Sequence, residues 1–333
     1  MIVDAHAHIF AKEALEALEV RYGQHVPRLA EDARGKLWIV TGSRASGPTD
    51  PMPQFWNVNE RIRLMAEEQI DLQVVSVTPG NFCYDAPSEA GRAIASAQND
   101  AIAKLVEDRP DRFVGCATVP LQDIDAAVAE LERAVKDLGL VGVEIGSNVN
   151  GVNLDSMALW PFYGVAERLG VPIEVHPISN VWSERMGKYY LGNIVGNPAE
   201  TTLAIGSVIL GGVAERFPGL RFVWAHGGGF FPYQIGRFDH AWEVRAEPKV
   251  QIRKKPSSYI GKMYFDTITH GEKALHYLID SLGAERVLLG TDFSWDMGDY
   301  DVVKTLKGMT GLTEEERIKI LGENSRALFK IEG

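Results

Sequence analysis

One recurrence constrains the fold more than any other feature. Eight short apolar runs, rich in Val, Ile and Phe, alternate along the 333 residues with longer stretches of helical character. The runs cover 2–7, 72–77, 113–119, 141–145, 171–176, 221–226, 263–267 and 287–290. Near-continuous apolarity over so few residues marks strands covered on both faces, as in a parallel sheet. Helices are expected over 59–69, 88–108, 124–138, 199–217, 274–282 and 314–329, the fourth with Asn197-Pro198 as cap and first-turn proline. Eight strands alternating with helices predict an α/β chain closed into a (β/α)8 TIM-type barrel. An open doubly wound sheet is the rival, and it is weakened because no Gly-x-Gly-x-x-Gly follows any run. Such barrels commonly exceed about 250 residues as one unit, so 1–333 reads as a single domain. Two segments are additions: 10–57 after the first strand, read as a small cap with a short hairpin or a loop over the site, and 177–198 after the fifth.

Charge narrows the partners. Lys and Arg number 34 against 45 Asp and Glu, a formal charge of −11. An acidic exterior disfavours nucleic acid and anionic membrane. The two cysteines, Cys83 and Cys116, exclude a disulfide framework. The amino terminus has neither basic nor apolar leader regions, and no apolar run is long enough to span a bilayer, so a cytoplasmic protein is expected.

The chemistry concentrates in five residues. His6-Ala7-His8 closes the first run, and side chains two apart on a strand share a face. His176 ends the fifth run, His226 ends the sixth, and Asp292 follows the eighth. All fall at C-terminal strand ends, the face where barrel enzymes build their sites. Three imidazoles and a carboxylate suit one divalent ion and leave a position open for water or substrate; zinc is expected, and manganese also fits. One histidine is then left for proton transfer. We assign that role to His226, because Gly227-Gly228-Gly229 after it permit close approach and leave room for substrate; the glycines also read as a tight strand-to-helix turn.

These residues resemble a known family. The opening Asp4-Ala5-His6-Ala7-His8, Val119-Pro120-Leu121-Gln122-Asp123, Val175-His176-Pro177, Asn197-Pro198-Ala199-Glu200-Thr201, Ala225-His226-Gly227-Gly228-Gly229, Gly236-Arg237-Phe238-Asp239 and Gly290-Thr291-Asp292 are similar to motifs of the amidohydrolase superfamily. More narrowly, they resemble the branch of α-amino-β-carboxymuconate-ε-semialdehyde decarboxylase and related metal-dependent, non-oxidative decarboxylases. The resemblance implies that His6, His8, His176 and Asp292 bind one metal ion, that His226 is catalytic, and that Asp292 also takes part in proton transfer. It implies that Arg237 reaches a neighbouring subunit's site to bind a substrate carboxylate, hence a homodimer.

The chain departs from that pattern in the loop before Trp56, where Arg44 is the nearest candidate for a second carboxylate-binding arginine. His270 adds a polar group near the pocket mouth, and Trp182, Phe293 and Trp295 are read as an apolar wall. The function expected is decarboxylation of a small unsaturated or aromatic carboxylic acid. The alternative is a hydrolase or hydratase acting on an amide, lactone or activated C=C bond, because the same ion can activate water for either reaction.

Overall fold

A computed structural model describes residues 1–42, 44–49, 53–178 and 183–332. Eight parallel strands form its centre: β1 (Val3–Ile9), β2 (Leu72–Val77), β3 (Phe113–Ala117), β4 (Gly142–Gly146), β5 (Ile173–His176), β6 (Phe222–Trp224), β7 (Met263–Asp266) and β8 (Val287–Leu288). They pair in chain order, β1 to β8. The seam between last and first is bridged beyond β8: Ala5 N donates to Leu289 O at 2.8 Å, Asp292 N donates to His6 O at 3.0 Å, and Ala7 bridges Phe293. The eight predicted runs are thus the barrel, each strand falling within a residue or two of its run except that β6 and β8 are shorter.

The inside of the barrel is layered. Val3, Ala5, Leu72, Val74, Cys116, Val223 and Leu288 pack as an apolar plug at the N-terminal end. Above them sit carboxylates, and above those the histidines. Glu144 on β4 and Glu174 on β5 are register partners and are buried. A larger apolar cluster fills the space between strands and helices. Helix 124–136 shows how a segment earns its place: Asp123 caps it, accepting from Ala126 N at 3.1 Å, and Ala127, Leu131 and Ala134 form its buried stripe.

Three helix expectations need correction. The segment 199–217 is two helices, Asn197–Leu210 and Val213–Arg216, broken at Gly212, whose φ of 83° is left-handed. Asn197 is not a cap, because a π-helical turn, Gly192–Gly196, runs straight into the helix. Helices Trp160–Leu169 and Phe231–Val244 were not anticipated, although Pro161 and Pro232 stand in their first turns.

The insertion after β1 holds a helix, Lys12–Tyr22, and a three-stranded antiparallel sheet, Arg28–Glu31, Leu37–Thr41 and Arg44–Thr49. That is one strand more than a hairpin. Ile39, Thr41, Ala45 and Gly47 of this sheet face the cavity above the barrel.

Candidate active site

The strand ends bring five groups together. His6 Nε2 lies 3.0 Å from His8 Nε2, and His8 Nε2 lies 3.2 Å from Asp292 Oδ1. The His176 ring is 5.3 Å from that of His6 and 5.2 Å from that of His8. Ligand atoms of His6, His176, His226 and Asp292 all fall within 4.8 Å of one another. A bulge in β1 between Asp4 and Ala7 re-aims this stretch of strand where the two imidazoles converge.

Hydrogen bonds behind the rings decide which nitrogen faces inward. His6 Nδ1 meets Asp266 Oδ2 at 2.7 Å, His8 Nδ1 meets Val77 O at 3.0 Å, and His176 Nδ1 meets Pro177 O at 3.0 Å. Carbonyls and carboxylates only accept, so each Nδ1 carries its hydrogen and each neutral ring turns an Nε2 lone pair inward. His176 Nε2 and Asp292 Oδ1 are buried with no hydrogen-bond partner among the described residues. Buried acceptors without donors are costly, and a cation bound among them satisfies all of them at once. The donor set therefore fits a divalent ion.

The surrounding field is negative. Burial pulls the His6 pKa down, but the hydrogen bond to Asp266 and the charges of Glu174 and Asp292 outweigh it and hold it well above the usual imidazole value. Burial and the neighbouring imidazoles push His176 well below that value. Burial also raises the carboxyls beneath: Glu174 to about 7 and Asp4 to about 6. Asp292 shows the reverse, because its contact with His226, the nearby His8 ring and the charge of His6 overcome burial and hold its carboxyl far below the ordinary range.

His226 stands apart from the three anchored rings. Its Nε2 is 3.4 Å from Asp292 Oδ2, but its Nδ1 has no partner among the described residues. Its backbone is left-handed at φ 56°, as is that of Asp292 at 57°. Such conformations cost about 1 kcal/mol or more and persist where surrounding contacts impose them. Here Asp266 does so: it accepts from His226 N at 2.8 Å and from Gly227 N at 2.7 Å. The glycines pack as the tight turn requires. A Cβ at Gly228 would lie 2.5 Å from the Phe265 ring, and one at Gly229 only 2.1 Å from the Pro198 carbonyl oxygen. Gly227 and Gly229 also line a cavity.

The family model described as Amidohydrolase matches residues 3–331. The chain belongs to the amidohydrolase family. It is 38% identical, over 81% of its length and 76% of the relative's, to the 2-amino-3-carboxymuconate-6-semialdehyde decarboxylase of Dictyostelium discoideum. Among solved structures it resembles the 5-carboxyvanillate decarboxylase of Sphingomonas paucimobilis, with TM-score 0.84, 25% identity and 99% of both chains covered. It also resembles a dihydroxybenzoic acid decarboxylase of Polaromonas solved with manganese and 2-nitroresorcinol, with TM-score 0.79, 27% identity, and 99% and 97% of the two chains covered.

Among the described residues of the amidohydrolase, two cavities lie over this histidine–aspartate cluster. The first, about 560 Å³, is lined by His176, Asp292, Tyr84, Asn150, Tyr190 and Trp295 among others. The second, about 550 Å³, is lined by His226 and Asp292 and includes His270 at its exposed edge. The reading of Phe293 needs correction. It is 1% exposed and lines neither cavity; it packs between Arg61, 4.7 Å from its ring, and Tyr300. Trp295, expected in the same wall, does line the first cavity. Arg237 is exposed on helix Phe231–Val244 and lines neither cavity of its own subunit. Trp182 and the Arg44 side chain lie outside the described residues.

Several contributors went unnoticed in sequence. Asp266 ends an apolar run just as Asp292 follows one, and that signal was available. Tyr84, Asn150, Asn193 and Asn197 carry no such signal, because loops beyond β2 and β4 and the helical segment beyond β5 deliver them.

Proposed function

We propose that this amidohydrolase is a metal-dependent, non-oxidative decarboxylase of a small aromatic or unsaturated carboxylic acid. His6, His8 and His176 would hold one divalent ion through their Nε2 atoms, and Asp292 through a carboxylate oxygen. The observation that carries this reading is the anchoring of Nδ1 on all three rings, which leaves their Nε2 atoms, with Asp292 Oδ1, as the donors available to an ion. Zinc is the ion proposed, with manganese also compatible with the donor set. The relatives and solved structures named as decarboxylases favour decarboxylation over hydrolysis or hydration.

When bound, the ion polarises a substrate oxygen and stabilises charge that develops as the carboxyl carbon leaves. The remaining steps belong to the chain. His226, unanchored at Nδ1 and facing the cavity, moves the proton: the C–C bond breaks, CO2 departs, and the electron pair left on carbon takes a proton. Asp292 Oδ2 orients the His226 ring and passes protons with it. Trp295 and Tyr190 limit access of water from one side, and His270 stands at the mouth of the second cavity; Trp182 and Arg44 are assigned to substrate binding on the sequence reading alone.

A cytoplasmic homodimer belongs to the same reading. Arg237, exposed and remote from its own site, is supplied to a second subunit, where its guanidinium pairs with substrate carboxylate. No helix of the described residues is long and apolar enough to cross a membrane. The chain acts as one domain, with residues 10–57 as its cap.

The deciding experiment offers the zinc- or manganese-loaded protein a panel of hydroxybenzoates, carboxymuconates and lactones. CO2 release, with one solvent hydrogen gained on carbon, is expected. Hydrated or ring-opened products without CO2 would overturn the proposal.

A further inference from the structure

The two cavities are separate lobes of one site. They share four lining residues: Asn193, Asn197, Asp292 and Met297. Asp292 belongs to the metal-ligand cluster, so the lobes meet over the reacting centre. His176 faces the first lobe and His226 the second. Either volume alone lies inside the ~300–1,000 Å³ span of pockets that hold drug-sized ligands. A single-ring acid fills one lobe and leaves the other open.

The lobes differ in character. The first mixes Tyr84, Asn150, Asp296 and Trp295 with cap residues. The second is mainly apolar: Phe230, Pro232, Tyr233, Ile268, Tyr277 and Leu278 form its walls. Those walls are braced. The Tyr233 and Tyr277 rings lie 5.9 Å apart, and Tyr277 Oη donates to the Pro232 carbonyl at 3.3 Å. Aromatic rings fixed around a space that shares Asp292 with the first lobe and opens on His226 form an apolar recess continuous with the reacting centre.

We infer that the second lobe is a substituent pocket: the substrate is an acid whose reacting ring or double bond sits at the Asp292 junction and carries an apolar aryl or alkyl arm that lies against Phe230, Tyr233 and Tyr277. This rests on the decarboxylase reading for the reacting end and adds the class of the other end. Asn193 and Asn197, one helical turn apart on the ridge between the lobes, present carboxamides to the linkage between arm and acid.

The test measures binding and turnover separately. Calorimetry on the manganese-loaded protein compares 2-hydroxybenzoate with its 4-phenyl and 5-phenyl derivatives. At least one derivative binds about tenfold tighter, from burial of the added ring. Ala274→Trp fills the lobe from an exposed helical position and removes that gain, while binding of the unsubstituted acid changes less than about twofold. Ala274→Asp, which places a charge in the lobe, removes it as well. Equal binding of all three acids overturns the inference. So does an Ala274→Trp protein that loses both acids alike, or one that changes oligomeric state and binds every acid as before, since the lobe then belongs to an interface between copies. Tighter binding of the phenyl acids without CO2 release from any acid upholds the pocket and overturns the decarboxylase reading.

Discussion

His6 and His8 turn their Nε2 atoms to within 3.0 Å of each other while Asp266 and the Val77 carbonyl hold their Nδ1 atoms from behind. Two lone pairs at that separation repel unless something positive lies beside them. Without an ion a proton can serve: the Asp266 hydrogen bond and the charges of Glu174 and Asp292 outweigh burial and hold the His6 pKa well above the ordinary imidazole value. A bound ion would take that proton's place.

A pH dependence follows directly. The His6 pKa is raised, so the proton is fully bound below the ordinary imidazole value of about 6.5 and leaves only as pH rises through the higher folded value. An incoming ion must displace it. Metal affinity therefore climbs with pH across the neutral and mildly alkaline range and levels off above the raised pKa. Calorimetry in two buffers of different ionisation enthalpy should register close to one proton released per ion at pH 7; no buffer dependence would show that His6 is already neutral.

His226→Ala separates chemistry from metal retention. Its Nδ1 has no partner and its ring is not needed to anchor the other three. Turnover should fall about 10²–10⁴-fold, the usual contribution of a positioned acid–base group. Metal content by atomic absorption should match the parent protein, and its loss would reassign His226 as a ligand.

Asp266 joins the two roles. One oxygen receives the His6 ring N–H and the His226 amide, and the other receives the Gly227 amide. In Asp266→Asn the carboxamide NH2 can face His6 Nδ1, which favours the opposite tautomer and blocks Nε2. Metal affinity should drop about 10–100-fold, as for other groups behind a ligand. Competition with a chromogenic chelator measures this; unchanged affinity with normal circular dichroism would show that Asp266 does not set the tautomer.

Two glycine substitutions should diverge. Gly229→Ala combines a left-handed φ of 62° with a Cβ that would sit 2.1 Å from the Pro198 carbonyl oxygen, and backbone there cannot move aside cheaply. It should destabilise the fold by about 3 kcal/mol, in the range of severe local mutations. Gly236→Ala lies in helix Phe231–Val244 with nothing within 4 Å of the new methyl. It should stabilise by up to about 1 kcal/mol through helix propensity. Paired denaturant melts test both; equal midpoints would refute the steric account.

The sequence by itself determined the barrel and the five polar residues gathered at its C-terminal strand ends. Runs buried on both faces must be apolar throughout, so the eight strands stood out, and polar residues that interrupt an apolar run at its C-terminal end stood out against it: His6, His8, His176, His226 and Asp292. Local pattern reached that far because strand burial is a local requirement. Only the tertiary structure decided what lies behind and above the ligands. Asp266 acts on His6 across 260 positions of chain, and Glu144 and Glu174 become neighbours through strand register. Phe293 reads as a pocket wall in sequence and is instead buried against Arg61 and Tyr300, because the turn after Asp292 swings it into the core. The two lobes exist only where loops from separate strands meet. No periodicity records such a meeting, because it is the closure of the barrel that brings those loops to one face.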